Sequence, residues 1–243
     1  VLTDAGPGSD AITPVLQDKV YAHSADTLFE VDPNTLSVTV VASFGWPPGR
    51  TGEQMTDIAL DENGDMVGVS FNAVYSVDKT TAACTYLADL QSGMYNGLSY
   101  VEGVGADPNV KSLVGVNTSG DYIVIDPNTG SSSQIGNYGV GLGSSGDIVY
   151  VRGAGAFATA TDSAYTNDVL VSVNAGSGVA TVIGDTGFSG IWGLAYWGGT
   201  IFGFTDGGQF ITIDPATGQG TLVESTSHSF WGAGVTTTAP IVR

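Results

Sequence analysis

The sequence predicts an all-β fold that is built from five repeated units of four strands each. A mostly apolar segment ends in a similar turn five times along the chain, at Asp32, Asp78, Asp126, Asn174 and Asp214. The steps between these anchor residues are 46, 48, 48 and 40 residues. A period of this length is typical of sheets that are repeated around an axis. The repeat therefore indicates a five-bladed β-propeller with four-stranded antiparallel blades and almost no helix.

The turn that follows each third strand explains the repeated aspartate. In the third copy it reads Asp126-Pro-Asn-Thr-Gly. The Asp side chain accepts hydrogen bonds from the backbone two residues later, Pro presets φ, and the final Gly tolerates a positive φ. We therefore interpret the repeated Asp as a structural residue with no chemical role.

The first blade is incomplete at the amino-terminal end, because no inner strand precedes Val20. The segment that begins at Phe230-Trp-Gly-Ala resembles Ile191-Trp-Gly-Leu, which opens the inner strand of the fifth unit. We expect this C-terminal strand to close the ring, which removes exposed sheet edges. The predicted blades comprise approximately residues 230–240 with 18–44, then 55–90, 95–136, 145–184 and 191–225. Residues 1–17 are expected to form a linker or arm before one propeller domain at 18–243.

Composition limits the classes of partner. Hydrophobic residues make up 42% of the 243 residues and charged residues 12%, which excludes a disordered chain. The net charge is −18, and the six Lys and Arg residues are scattered singly. This pattern disfavours nucleic acids and anionic lipid surfaces as partners. No apolar run approaches the roughly 18 residues of a membrane span, so no transmembrane segment is expected.

The single cysteine and the opening residues bear on location. Cys84 falls at an apolar strand position, which indicates a buried structural thiol and no intrachain disulfide. The opening residues 2–10 are rich in Gly, Pro, Ser and Asp, like a linker that follows a removed leader or a lipid-anchored cysteine. We expect an exported, monomeric protein that is secreted, periplasmic or surface-tethered, with a lipid-anchored precursor as one form.

The repeat resembles a broad family of extracellular and periplasmic propellers. The copies Leu28-Phe-Glu-Val-Asp-Pro-Asn-Thr and Phe210-Ile-Thr-Ile-Asp-Pro-Ala-Thr-Gly are similar to its blade signature, Leu-Tyr-x-Ile-Asp-Pro-x-Thr-Gly. The family includes quinoprotein-like and lactonase-like members, and the resemblance extends from about Val20 to Thr237. It implies the propeller fold and a lipoprotein-type member. Since members range from enzymes to surface proteins, it does not imply one activity.

The candidate site lies where the inner strands begin. Loops that join the fourth strand to the next inner strand, and the second strand to the third, emerge on one face around the central channel. The long loop 44–55 on this face is a candidate lid or partner contact. The predicted ligand-binding residues are Trp46, Arg50, Thr56, Asp57, Asn96, Asp147, Trp192 and Trp231. Aromatic, amide and carboxylate groups together suit a sugar, another small polar ligand or a cation. The same ring of residues equally fits a plug of packed side chains.

A metal site is the second possibility at this face, with calcium as the candidate ion. The candidate ligands are Asp57, Asp147, His23 and His228. Ring closure is expected to bring both histidines to the seam, where they could pair near Asp26. A third acidic residue is lacking, since the equivalent positions hold Gly97, Gly193 and Gly232.

The leading functional hypothesis is an exported, non-catalytic binding propeller, and no catalytic residue is assigned. Its partner would be a glycan, a peptide or a protein at the loop face. The alternative is a metal-dependent hydrolase, lactonase-like or glycosidase-like, with Asp57, Asn96 and Asp147 at the channel mouth. A third hypothesis is a structural surface or adhesion domain without a saturable small ligand.

Overall fold

Five four-stranded antiparallel sheets form a closed ring in the computed structural model, which describes residues 19–104 and 110–242. Each sheet is one blade, and neighbouring inner strands contact one another around a central axis. The described residues contain strands, turns and bends but no helix. The predicted fold class, a five-bladed propeller with four-stranded antiparallel blades, is therefore confirmed.

The strands of each blade are given from the axis outwards. Blade 1 contains β20 (Gly232–Gly234), β1 (Val20–His23), β2 (Thr27–Val31) and β3 (Val38–Ser43). Blade 2 contains β4 (Met55–Leu60), β5 (Met66–Ser70), β6 (Ala73–Val77) and β7 (Cys84–Asp89). Blade 3 contains β8 (Gly97–Glu102), β9 (Lys111–Val116), β10 (Asp121–Ile125) and β11 (Ser132–Asn137). Blade 4 contains β12 (Leu142–Val151), β13 (Gly155–Asp162), β14 (Val169–Val173) and β15 (Ala180–Asp185). Blade 5 contains β16 (Ile191–Trp197), β17 (Thr200–Thr205), β18 (Gln209–Ile213) and β19 (Gly220–Ser225).

Blade 1 is assembled from both ends of the described chain. The last strand, β20, is its inner strand and pairs antiparallel with β1, with Tyr21 opposite Gly234 and His23 opposite Gly232. This pairing is the ring closure that the sequence predicts. It pairs the inner edge of β1, so the seam of the ring lies within blade 1.

The repeated turn forms as its residues predict. In every blade the side chain of the anchor residue accepts a hydrogen bond from the backbone N–H two residues later. The five donor–acceptor pairs are Asn34 to Asp32, Thr80 to Asp78, Asn128 to Asp126, Gly176 to Asn174 and Ala216 to Asp214, at 2.8–3.1 Å. The last turn residue has a positive φ in each copy, including two that are not glycine, Leu36 (61°) and Ala82 (56°). The anchor residues therefore act as turn formers.

The chain after β20 crosses the end of the channel that lies opposite the loop face. The hydroxyl group of Thr236 donates to the carbonyl oxygen of Asp61 in blade 2 at 2.8 Å. Backbone N–H groups of Arg152 in blade 4 and Gly198 in blade 5 donate to the carbonyl oxygens of Thr237 and Pro240, at 2.8 and 2.7 Å. Residues 235–240 thus tie three blades together and cover this end of the axis.

Three further expectations can be placed against the structure. Cys84 is buried, as expected for a structural thiol. The expected arm at residues 1–17 lies outside the described residues. Among the described residues, no helix has the length and apolar character that crossing a membrane requires.

Candidate binding site at the channel mouth

One layer of residues fills the channel axis just below the loop face. Equivalent positions of the five inner strands contribute two aspartates and three glycines: Asp57, Gly97, Asp147, Gly193 and Gly232. A methyl group on Gly97 would lie 3.0 Å from the Cα atom of Asp147, and one on Gly232 would collide with the carboxyl group of Asp57 and the ring of His23. The glycines therefore leave the space into which the carboxyl groups fit.

Asp147 is held by backbone groups from three blades. Its Oδ2 atom accepts a hydrogen bond from the N–H of Leu194 at 2.7 Å. Its Oδ1 atom accepts from Ile148 at 2.6 Å and from Leu98 at 3.3 Å. These donors favour the charged form of the carboxyl group and oppose the effect of burial, which raises the pKa of Asp147 to about 7. Asp147 is therefore the more acidic member of the pair.

Asp57 is the member that carries the proton. Its Oδ1 atom accepts from Ile58 at 2.8 Å, and no donor within the described residues reaches its Oδ2 atom. Complete burial, followed by the nearby charge of Asp147, raises the pKa of Asp57 well above its usual range. A proton on Asp57 can donate to Asp147, and this hydrogen bond opposes the rise that burial causes in the pKa of Asp147.

His23 completes the layer in its neutral form. Its side chain is fully buried, and its Nδ1 atom lies 2.8 Å from the carbonyl oxygen of Ser24, which places the ring proton on Nδ1. The Nε2 atom therefore presents its lone pair, 3.5 Å from Oδ1 of Asp57. Burial lowers the pKa of His23 to about 4, so this contact is not an ion pair at neutral pH.

A pocket of about 370 Å³ opens above this layer on the loop face. Its wall is mostly aromatic and apolar, with a few hydroxyl groups and one amide. The lining residues are Thr56, Phe71, Met94, Tyr95, Asn96, Thr118, Ser145, Trp192 and Trp231. None of these lining residues carries a charge at neutral pH. The pocket thus has an uncharged wall above a floor of buried carboxyl groups.

The indole of Trp231 is nearly perpendicular to two other aromatic rings of the pocket. The ring centroids of Trp192 and Trp231 are 6.1 Å apart with an interplanar angle of 80°. Those of Phe71 and Trp231 are 6.4 Å apart with an angle of 77°. The indole of Trp231 therefore stands across the planes of the other two rings.

The strand ends hold both indoles by backbone contacts. The backbone N–H of Trp231 donates to the carbonyl oxygen of His23 at 2.7 Å. Before Trp192, the N–H of Ile191 donates to the carboxyl group of Asp168 at 2.8 Å, and the carbonyl oxygen of Ile191 accepts from Thr159 at 3.0 Å. The aromatic residues are consequently set on ordered strand ends.

The polar side chains of the pocket have spare hydrogen-bonding capacity. Thr56 donates to the carbonyl oxygen of Val69 at 3.1 Å, and the amide nitrogen of Asn96 lies 3.4 Å from the carbonyl oxygen of Ser144. The amide oxygen of Asn96 and the hydroxyl oxygen of Ser145 are buried without a hydrogen-bond partner among the described residues. Unpaired buried oxygens of this kind are costly, which makes them candidates for contact with a donor group.

Charge is distributed unequally between the two ends of the propeller. The loop face, within residues 19–104 and 110–242, carries nine acidic residues: Asp26, Glu53, Asp89, Asp121, Asp162, Asp168, Asp185, Asp206 and Glu224. Its one Lys or Arg residue is Arg50, which pairs with Glu53 and Asp89. The described part of the opposite face also carries nine acidic residues, but it adds four basic ones, Lys19, Lys79, Lys111 and Arg152. The pocket therefore opens on the more negative end of the molecule.

The predicted ligand-binding residues divide into three groups. Thr56, Asn96, Trp192 and Trp231 line the pocket together. Asp57 and Asp147 lie beneath it in the buried layer. The other two belong to the loop 44–55 and lie outside the pocket wall. Trp46 packs on Phe44 and Tyr75, at 5.7 and 5.1 Å between ring centroids. Arg50 lines an adjacent shallow cavity. The packed plug and the open site, which the sequence suggests as alternatives, therefore correspond to two levels of the same channel. The buried carboxyl groups fill the lower level, and the pocket lies above them.

The predicted pairing of His23 with His228 is not what the structure shows. His228 packs on Phe29, at 4.5 Å between ring centroids, while His23 faces Asp57. Among the described residues, no group of three or more His, Cys, Asp or Glu side chains is arranged to hold a metal ion. Calcium requires six to eight oxygen ligands, whereas the oxygens of Asp147 already accept backbone hydrogen bonds. The buried layer does not fit a calcium ion.

Five residues line the pocket but are not among the ligand-binding residues predicted from the sequence: Phe71, Met94, Tyr95, Thr118 and Ser145. Phe71 and Thr118 lie in loops between second and third strands, which the fold prediction places on the same face. That placement was the available signal for these two residues. Tyr95 enters because Gly115 lacks a side chain that would collide with its ring.

Comparisons with known proteins agree with the fold. No protein-family model and no curated protein sequence matches the chain. A chain in the crystal structure of a nidogen/laminin complex aligns with 90% of this chain and 97% of its own length, at 9% identity and a TM-score of 0.57. A protein of unknown function from Bacteroides caccae aligns with 86% of this chain and 73% of its own, at 8% identity and a TM-score of 0.46. Oligogalacturonate lyase in complex with manganese aligns with 87% of this chain and 62% of its own length, at 11% identity and a TM-score of 0.44. The first of these likenesses shows a shared fold.

Proposed function

We propose that the protein is a non-catalytic binding propeller that takes a ligand, or one side chain of a partner, in the aromatic pocket at the channel mouth. The observation that carries the proposal is the pocket of about 370 Å³ between Trp192, Trp231 and Phe71. Its volume lies within the range of about 300–1,000 Å³ that is usual for small-molecule sites. Its aromatic walls and few polar groups match the composition of such sites.

The architecture supports a preformed, one-sided site. The carboxylate layer fills the axis below the pocket, and residues 235–240 cover the far end of the channel. A ligand therefore enters and leaves at the loop face. Since the two indoles stand on strand ends that are fixed by hydrogen bonds, little ordering is required when a ligand binds.

The hydrolase alternative finds less support in the axial carboxyl groups. A general acid, base or nucleophile must come within hydrogen-bonding distance of the reacting group. Asp57 and Asp147 are fully buried, and the backbone of three blades occupies both oxygens of Asp147. If the chain is related to the lactonase-like or quinoprotein-like propellers, the relationship would therefore concern the fold and not a shared catalytic site.

A macromolecular partner is compatible with the same pocket. The nidogen/laminin structure places a chain of similar fold in a complex of two proteins. Phe71 and Met94 are exposed at the pocket rim, with 44% and 68% of their surface accessible. A glycan, a peptide or a protein loop could each insert one group between the indoles and rest on this rim.

The test is a ligand screen that is read out by tryptophan fluorescence and calorimetry, using small cations, neutral sugars and peptides. We expect saturable binding by the wild-type protein and loss of that binding in Trp231→Leu and Trp192→Leu, with melting temperatures checked separately. Tyr165→Leu is the matched control, since this exposed aromatic residue does not line the pocket. The proposal would be refuted if no ligand of the screen bound and if both tryptophan variants still captured the same protein partners as the wild type. Turnover of lactones or glycosides that Asp57→Asn abolishes would establish the hydrolase instead.

A further inference from the structure

The walls of the pocket have the geometry that attracts positive charge. Aromatic faces carry negative charge density, and a cation within about 6 Å of a ring centroid is drawn to the face. Because Trp192, Trp231 and Phe71 all line the same pocket and Trp231 contacts each of the other two rings, a group in the pocket can contact more than one ring. Rings arranged around a central space are the known means of recognising quaternary ammonium groups.

The surroundings of the pocket add a negative potential. Nine acidic residues and one Lys or Arg lie on the described part of the loop face, and the whole chain carries a net charge of −18. Such a surface concentrates cations near a recessed site and speeds their association. The positive charge of Arg50 is already offset by Glu53 and Asp89.

Two adjacent cavities bring carboxyl groups close to the aromatic corner. Trp231 also lines a cavity that contains Asp26. Phe71 also lines a shallow cavity that contains Glu53 together with its ion-pair partner Arg50, so this second cavity adds little net charge. Below the pocket lie the buried carboxyl groups of Asp57 and Asp147. The charges around and beneath the rings are thus mainly negative.

We propose that the pocket binds an organic cation, namely an alkylated ammonium group that sits between Trp192, Trp231 and Phe71. This inference rests on the binding function proposed above and names its ligand class. The methyl groups of such a cation would meet the apolar wall, and its spread charge would meet the ring faces. An anion would be repelled by the loop face, and a neutral sugar would gain nothing from its charge.

The decisive probe is choline compared with its carbon isostere, in which a tert-butyl group replaces the trimethylammonium group. The two molecules have nearly the same shape and differ in charge. We expect choline to bind roughly tenfold more tightly or better, since a desolvated cation gains from each ring face. Choline affinity should fall with added salt, whereas that of the isostere should not. Phosphocholine should bind more weakly than choline.

Phe71 offers a matched pair of variants because its side chain is exposed and its replacement leaves the core intact. Phe71→Leu keeps an apolar side chain and removes the ring face, so it should lower choline affinity severalfold and leave the isostere nearly unchanged. Phe71→Tyr keeps the ring face and should bind choline like the wild type. Equal losses for both ligands in Phe71→Leu would contradict a cation–ring contact.

A trimethyllysine peptide separates two sources of the same chemistry. If it binds and unmodified lysine peptide does not, the ammonium group is carried by a partner chain; if choline alone binds, the ligand is a free small molecule. Equal affinity for choline and its isostere overturns the cation inference and leaves the binding function standing. Binding of a neutral sugar, but of neither probe, does the same. Absence of every ligand and partner removes both proposals.

Discussion

Asp57 and Asp147 occupy equivalent positions in the inner strands of blades 2 and 4, yet their carboxyl groups are bonded differently. Three backbone N–H groups donate to Asp147, whereas one donates to Asp57. A proton on Asp57 relieves the repulsion between two carboxyl groups that share a buried site. The two aspartates are therefore an acid and its acceptor, and they should respond differently to the same substitution.

Replacing each aspartate with asparagine tests this difference. Asp57→Asn keeps a donor towards Asp147 and should leave the free energy of unfolding near that of the wild type at pH 7. In Asp147→Asn an amide N–H group would point towards a backbone donor. This substitution should lower the free energy of unfolding by about 3 kcal/mol, as expected when buried hydrogen bonds to a charged group are lost. Chemical denaturation of both variants measures the difference. Equal costs would contradict the assignment of the proton.

The same pair predicts how stability depends on pH. The pKa of Asp57 is higher in the folded protein than in the unfolded chain, so the folded state holds this proton more tightly. The resulting stabilisation is complete below the unfolded pKa of about 4 and is lost as the pH rises towards the folded value. Above about pH 5, melting temperatures should fall less steeply with rising pH in Asp57→Asn than in the wild type. Parallel profiles would count against a protonated Asp57.

Gly232→Ala should disrupt the axial layer. The added methyl group would collide with the carboxyl group of Asp57 and with Nε2 of His23, both of which are fully buried. Overpacking of this kind costs about 3 kcal/mol, and here it also displaces a polar pair. Gly207→Ala is the control, since its nearest neighbouring atom would lie 3.8 Å away. Thermal unfolding of both variants gives the answer, and equal melting temperatures would show that the layer is not tightly packed.

Removal of residues 230–243 should prevent cooperative folding. Blade 1 would lose its inner strand, and blades 2, 4 and 5 would lose their contacts with residues 235–240. Removal of residues 242–243 is the control, because Val242 is 74% exposed. Near-ultraviolet circular dichroism and sedimentation report folding and monomer state. A monomeric truncated chain with an unchanged melting temperature would disprove ring closure.

Cys84 should resist thiol reagents in the folded protein. Burial raises the pKa of its thiol to about 12, so the reactive thiolate is scarce at pH 8. Its Sγ atom also donates to the carbonyl oxygen of Ala82 at 3.7 Å. Labelling should be on the order of 100-fold slower than in denaturant. Labelling at similar rates in both conditions would mean that blade 2 opens readily.

The repeat was sufficient to predict the ring, because each blade carries its own strand pattern and turn. Asp126 and its equivalents act locally, through atoms only a few residues away, and local sequence is enough to predict such contacts. The pairing of β20 with β1 was also predictable, since the similarity of Phe230-Trp-Gly to Ile191-Trp-Gly survives the distance along the chain.

The site was predicted less completely, because its depth depends on packing between blades. The sequence places Asp57 and Trp192 at the starts of inner strands, but it does not show that one is buried and the other half-exposed. The difference follows from Gly97, Gly193 and Gly232, which let the carboxyl groups fill the axis. Phe71 lies in the loop that follows the second strand of blade 2, and the repeat does not predict how far this loop extends towards the channel.

The seam in blade 1 also has a mechanical consequence. The strands β1 and β20 are antiparallel neighbours, and the chain enters the first and leaves the second at the same end of the blade. A force that pulls residue 19 away from residue 242 would first detach residues 235–240 from the base. It would then break the hydrogen bonds between β1 and β20 one after another, starting from the end at which the chain enters β1 and leaves β20. The ring should therefore yield to tension at its seam, while the other four blades, whose strands are each continuous in sequence, stay intact.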